Sequence, residues 1–199
     1  MSNKGDLVNL IRKTQTIVSI VLFFVVMLFC WQITDYELSE IQISYWGGDD
    51  MEYGWVWNSI IVLLSISIFF NNMIFIKKHV RLENKIIPYI SFSIVAVSLF
   101  IVGLFNLDHI LIHDVSACIY FFSYPLAIFT MAYLNRKKLL YKEWFTHLIF
   151  SVIMMVLPLT LLNFFNGFGF SEILHSLIVC IWNIHVAFKR FDITLPTIK

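Results

Sequence analysis

The chain has 199 residues, 59% of them apolar and 14% charged, with a net charge of +1 and a mean hydropathy of +0.81. Soluble domains run at about 45–50% apolar and about 25% charged, and one aqueous core cannot hide so large an apolar surface, so a water-soluble fold is excluded. The near-neutral charge, with no basic run interleaved with aromatics, also excludes a nucleic-acid partner.

Six stretches are long and apolar enough to cross a bilayer as helices of about 20 residues: Thr14–Ile33, Trp55–Ile76, Ile86–Phe105, Val115–Leu134, Trp144–Phe165 and Glu172–Phe191. Lipid offers no partner for free backbone groups, so each is helical, and the continuous runs do not fit the alternation of a β-barrel. The expected fold is therefore an all-α membrane protein, residues 1–199 forming one six-helix transmembrane domain. The apolar run Ile17–Cys30 follows Lys4, Arg12 and Lys13 as a signal peptide would. No small-x-small cleavage pattern follows it, so it reads as a retained first span. Cys30, Cys118 and Cys180 all lie in apolar stretches and form no disulfide framework.

All 14 Lys and Arg residues fall on one side of this layout. Lys4, Arg12 and Lys13 precede the first span. Lys77, Lys78, Arg81 and Lys85 join the second to the third. Arg136, Lys137, Lys138 and Lys142 join the fourth to the fifth, and Lys189, Arg190 and Lys199 follow the sixth. The positive-inside rule places both termini in the cytoplasm and predicts a multi-pass protein of a cytoplasmic (inner) membrane. The opposite face carries Asp35, Glu37, Glu40, Asp49, Asp50, Glu52, Asp108, Asp114 and Glu172, with a belt of Trp and Tyr. Its sizeable piece is the first loop, Thr34–Gly54. There Ile41, Ile43 and Tyr45 alternate with polar residues as in a short β-strand, while the spacing of Leu38, Ile41 and Tyr45 competes as a helical pattern. Pro88, Pro125 and Pro158 fall inside spans.

Ionisable groups at membrane depth are costly and mark candidate sites. Asp108, His109, His113 and Asp114 cluster where the fourth span begins, and Glu172 and His175 open the sixth. His109 and His113 share a helix face if the fourth helix starts early. Asp108, His113, Asp114, Glu172 and His175 then form an outward polar pocket. Two chemistries suit it. In one, the pocket senses, binds or organises lipids at the outer leaflet without a cofactor. In the other, His109, His113 and His175 hold zinc and Glu172 is the general base of a lipid hydrolase. The H-x-x-x-H spacing lacks the Glu that zinc proteases carry beside the first His, and helix capping by Asp114, Ser171 and Glu172 accounts for much of the cluster. A third class is an interaction subunit or pore-forming effector that packs against a partner membrane protein or further copies. The scarcity of ionisable groups at mid-membrane disfavours a coupled transporter. Of the three classes, the non-enzymatic lipid reading is preferred.

The layout resembles the Frag/DRAM/Sfk membrane family and its bacterial relatives, which are similar in span number, cytoplasmic ends and first outer loop. The resemblance is carried by Gly103-Leu104-Phe105-Asn106, then His113 with Ala117 a turn later, and by Gly169, Glu172 and Trp182. Asn106 stands where those relatives have Pro, and Ile173 stands where a basic residue is common. The resemblance implies that His113 and Glu172 are the paired polar residues. Eukaryotic members of that group are associated with membrane lipid organisation, lipid-anchor remodelling and stress-induced autophagy, whereas its bacterial members have no settled activity.

Overall fold

The computed structural model describes residues 3–34, 37–79, 85–136 and 141–188. Six helices carry the fold: α1 (Asn3–Ile33), α2 (Gly54–His79), α3 (Ile86–Leu104), α4 (Ile110–Asn135), α5 (Tyr141–Leu161) and α6 (Gly169–Phe188). All six are long and apolar enough to cross a membrane. The expected spans hold, with shifted ends. α1 starts well before Thr14, because interfacial Lys and Arg are good helix formers and do not stop it. α5 stops at Leu161, before the expected Phe165, and α6 opens at Gly169, ahead of Glu172. Asp35, Tyr36, Arg81, Lys137, Lys138, Lys189, Arg190 and the tail to Lys199 lie outside the described residues.

Successive helices pack against each other, α1 closes onto α6, and α2 also reaches α6. Short connections make neighbours antiparallel, so the bundle has two ends. One, the basic end, carries Lys77, Lys85, Arg136 and Lys142. The other, the acidic end, carries the first loop and the starts of α4 and α6. The core repeats every three or four residues along α6, through Ile178, Val179, Trp182, Val186 and Ala187. Trp182 is fully buried, stacked on Phe92 of α3 at 5.6 Å and set edge-on to Tyr124 of α4 at 6.0 Å. A polar tie crosses the same core. Asn183 donates to the Tyr124 hydroxyl at 2.6 Å and its Oδ1 accepts from Asn71 of α2 at 3.0 Å. Such bonds hold helices together where lipid supplies no competing donor. Leu22, Phe70, Val97, Leu126, Val156 and Ile181 face outward, as a lipid-facing surface requires.

Of the strand and helical readings of Ile41–Trp46, the strand does not form, and no strand occurs among the described residues. A 3₁₀ turn, Ile43–Gly47, occupies the place. Ile43 and Trp46, three apart, both point into the bundle. Trp46 meets Trp57 of α2 at 5.1 Å and donates through Nε1 to the Thr34 hydroxyl at 3.1 Å. The α5–α6 connection lies against the same loop. The Gly167 N–H donates to the Ser39 carbonyl at 2.8 Å, and a Cβ there would fall 2.2 Å from the Glu40 carbonyl carbon. Only glycine permits that approach.

Candidate functional site

Three polar side chains at the acidic end each meet a backbone group that a break in the chain has set free. Pro158 lies inside α5 and has no N–H to give the Met154 carbonyl four residues earlier. His175 of α6 hydrogen-bonds that carbonyl instead, and the Ser171 hydroxyl donates to the Pro158 carbonyl at 2.8 Å. The Nε2 atom of His175 is buried with no partner among the described residues, so the bond to Met154 runs through Nδ1. A carbonyl only accepts. In the neutral ring, Nδ1 therefore carries the proton and Nε2 presents a bare lone pair.

Glu172 sits one turn earlier on the same face of α6. Its Oε2 accepts the Ile43 N–H at 2.6 Å, and its carboxylate also takes the Ser44 N–H. These are first-turn donors of the 3₁₀ turn, whose own N-cap Gln42 offers no side-chain cap. The carboxylate thus caps a turn from across the bundle. His113 does the reverse at the end of α3, where its Nδ1 lies 2.7 Å from the Phe105 carbonyl.

Two hollows meet at Glu172. The smaller, about 50 Å³, is lined by residues that include His113, Glu172, Ser44 and Tyr120, and the Ser44 hydroxyl is buried without a partner among the described residues. That volume admits a few waters. The larger is a cleft of about 290 Å³ between α4 and α5. Its walls are apolar, with Phe122 and Met155 among them, and its floor is polar, formed by Ser171, Glu172 and His175 with Asp114 on the α4 side. It approaches the size of small-molecule sites.

Residues 17–189 match a family described as a protein of unknown function, DUF998. The chain belongs to that family. The match begins inside α1 and ends just past α6, so the DUF998 region takes in the second part of α1, all of α2 to α6 and the whole site. No curated protein and no solved structure matches the chain. The family shown is DUF998, and no comparison names the Frag/DRAM/Sfk group.

Against this DUF998 site, the expected residues divide. His113 and Glu172 face one cavity, and Asp114, Glu172 and His175 share the cleft. Asp108 stays at the surface, accepting the Asp49 N–H at 2.9 Å and so pinning the first loop. His109 closes a 3₁₀ turn, Leu107–His109, ahead of α4 and is exposed, its ring edge-on to Phe105 at 5.6 Å. It therefore does not share a helix face with His113. Among the described residues, no three His, Cys, Asp or Glu side chains come together as a metal would require, so His109, His113 and His175 do not form one ligand set. Sequence reasoning gave Ser44, Cys118 and Pro158 no part in the site. Cys118 is legible in retrospect, four residues after Asp114 and so on its face of α4.

Proposed function

We propose that this DUF998 protein is a multi-pass protein of the bacterial cytoplasmic membrane, with both termini in the cytoplasm, that binds a lipid from the outer leaflet in the cleft between α4 and α5. The charge layout supports the orientation. Every Lys and Arg belongs to the segments at one end, and the acidic end holding the cleft carries none. The cleft itself carries the functional reading. It has apolar walls set among outward-facing residues such as Phe122 and Leu159, and a floor of a carboxylate and an imidazole. That is the polarity gradient of a lipid, tail against the walls and head on the floor.

The test is lipid extraction and native mass spectrometry of the detergent-purified chain, wild type against Cys118→Trp, which fills the mouth of the cleft from an exposed position. The wild type should carry a lipid at near-equimolar stoichiometry and the variant should lose it. Equal, non-stoichiometric lipid in both would overturn the reading.

A further inference from the structure

The cleft is graded along its depth. Counted from the acidic end, α4 lines it from Asp114 to Phe122, the α5 side from Leu162 back to Met154, and α6 from Phe168 to His175. At the helical rise, the α4 and α5 walls are each about 12 Å tall. The polar residues sit towards the acidic end, with Asp114 on α4, Ser171 and Glu172 in the first turn of α6 and His175 a turn below. The lower end is apolar and consists of Phe121, Phe122, Met154 and Met155. It is also closed. One turn further down, the Ser151 hydroxyl of α5 donates to the Pro125 carbonyl of α4 at 2.8 Å, and both residues are buried, so the two helices are pinned together beneath the cleft. The upper polar groups are spent on the protein itself. Ser171 serves the Pro158 carbonyl, Glu172 the Ile43 and Ser44 N–H groups, and His175 the Met154 carbonyl. What the cleft offers a ligand is therefore apolar wall, and its selectivity falls on a tail.

Resting on the lipid-cleft reading, we propose that the cleft takes one acyl chain of an outer-leaflet phospholipid, with its head at the acidic rim, and holds about the first ten carbons of that chain. The cleft volume is about 290 Å³. A methylene occupies roughly the 30 Å³ of a liquid water, so about ten of them fill the space. An extended chain of that length matches the height of the walls, so one chain uses the whole cleft and a second has no room. The pinned lower end turns the rest of the tail out sideways, among lipid-facing residues such as Leu126 and Val152. Met154 and Met155 suit a chain of no fixed shape, because their thioethers fill irregular gaps. The depth suits an outer-leaflet source, since the polar end of the cleft lies at the acidic end of the bundle and its apolar end points towards mid-membrane.

The experiment is photocross-linking of the full chain in phosphatidylglycerol nanodiscs, read by peptide mass spectrometry. The probe is phosphatidylglycerol with a diazirine near the head, at mid-chain or at the tip of an acyl chain. The near-head label should tag Ala117, Cys118 and Leu162, and the mid-chain label Phe121, Phe122, Met154 and Met155. The tip label should leave the cleft and spread over the lipid-facing surface. Met155→Trp, which fills the lower end, should abolish the mid-chain tags at Phe121 and Met154. A probe labelled at mid-chain on both chains should be tethered to the lower residues through one chain, not two. Labels in reversed or no depth order, a tip label concentrated at the lower end, or tethering through both chains would overturn the single-chain assignment. If Cys118→Trp still loses its lipid, the cleft remains a lipid site. Labels without preference for the cleft, together with lipid retained by Cys118→Trp, would overturn the lipid-cleft reading as well as this one.

Discussion

Replacing Glu172 tests how the loop is held to the bundle. In Glu172→Leu the Ile43 and Ser44 N–H groups lose their acceptor, and Ile43 is only 6% exposed. A buried donor left unsatisfied costs about 1–3 kcal/mol, so the pair costs about 2–6 kcal/mol. Glu172→Gln keeps an amide oxygen and loses only the charge assistance, about 1–2 kcal/mol. For a chain of this length the Leu variant should melt on the order of 10 °C lower and the Gln variant a few degrees lower. The damage should also be local, because Trp46 sits on the released turn and its bond to Thr34 goes with it. Limited chymotrypsin digestion in detergent should therefore nick Glu172→Leu near Tyr45 and Trp46 well before it nicks wild type. A Glu172→Leu chain with wild-type melting and wild-type nicking would refute the assignment of Glu172 as the cap of that turn.

Two other changes probe the scaffold. Gly167→Ala should cost about 1–3 kcal/mol, since its Cβ would meet backbone that cannot swing aside, while Gly48→Ala, whose nearest neighbour is the Tyr45 carbonyl oxygen at 3.3 Å, should cost less than about 1 kcal/mol; equal melting of the two variants would contradict the close packing of the α5–α6 connection on the loop. Arg12→Met should leave the melting temperature unchanged or raise it by a few degrees. Arg12 is 3% exposed, and among the described residues its guanidinium bonds the Ala187 carbonyl at 3.0 Å, while Nε and Nη1 have no partner. A clear loss of stability in differential scanning fluorimetry would show that this buried charge is compensated.

Helix number was legible because lipid imposes a single rule on every span, and a run of apolar residues reports it directly. Helix ends were less so. Asn3–Lys13 continues α1 although it carries the cations that mark the interface, and Gly169 starts α6 because its backbone lies against Leu38 and Ile41 of the loop, a tertiary fact. Between the strand and helical readings of Ile41–Trp46, the strand lost for the same kind of reason. Alternation over six residues is outweighed when two of them, Ile43 and Trp46, can be buried three apart with the turn's N–H groups capped by a distant carboxylate. Of the site, the depth of Asp108, His113, Asp114, Glu172 and His175 was readable from position along each span. Their division into an inner cavity, a lateral cleft and a surface pin was not, because it turns on which carbonyls and N–H groups lie opposite.

Those opposite groups also bear on the choice between capping and binding that the sequence poses. His113 serves the Phe105 carbonyl where α3 stops, Glu172 serves two N–H groups where the 3₁₀ turn starts, and His175 serves the Met154 carbonyl that Pro158 strips of its donor. Each side chain spends one edge on a chain break. At membrane depth such breaks have no water to turn to, so these bonds are obligatory and they hold the rings and the carboxylate in place. The same residues also line hollows: His175 and Glu172 the cleft, and His113, Glu172 and Ser44 the inner cavity. Structural duty on one edge fixes where the rest of each side chain lies. The two readings describe opposite sides of the same residues, and a variant that keeps the capping bond while changing the free edge is the one that separates them.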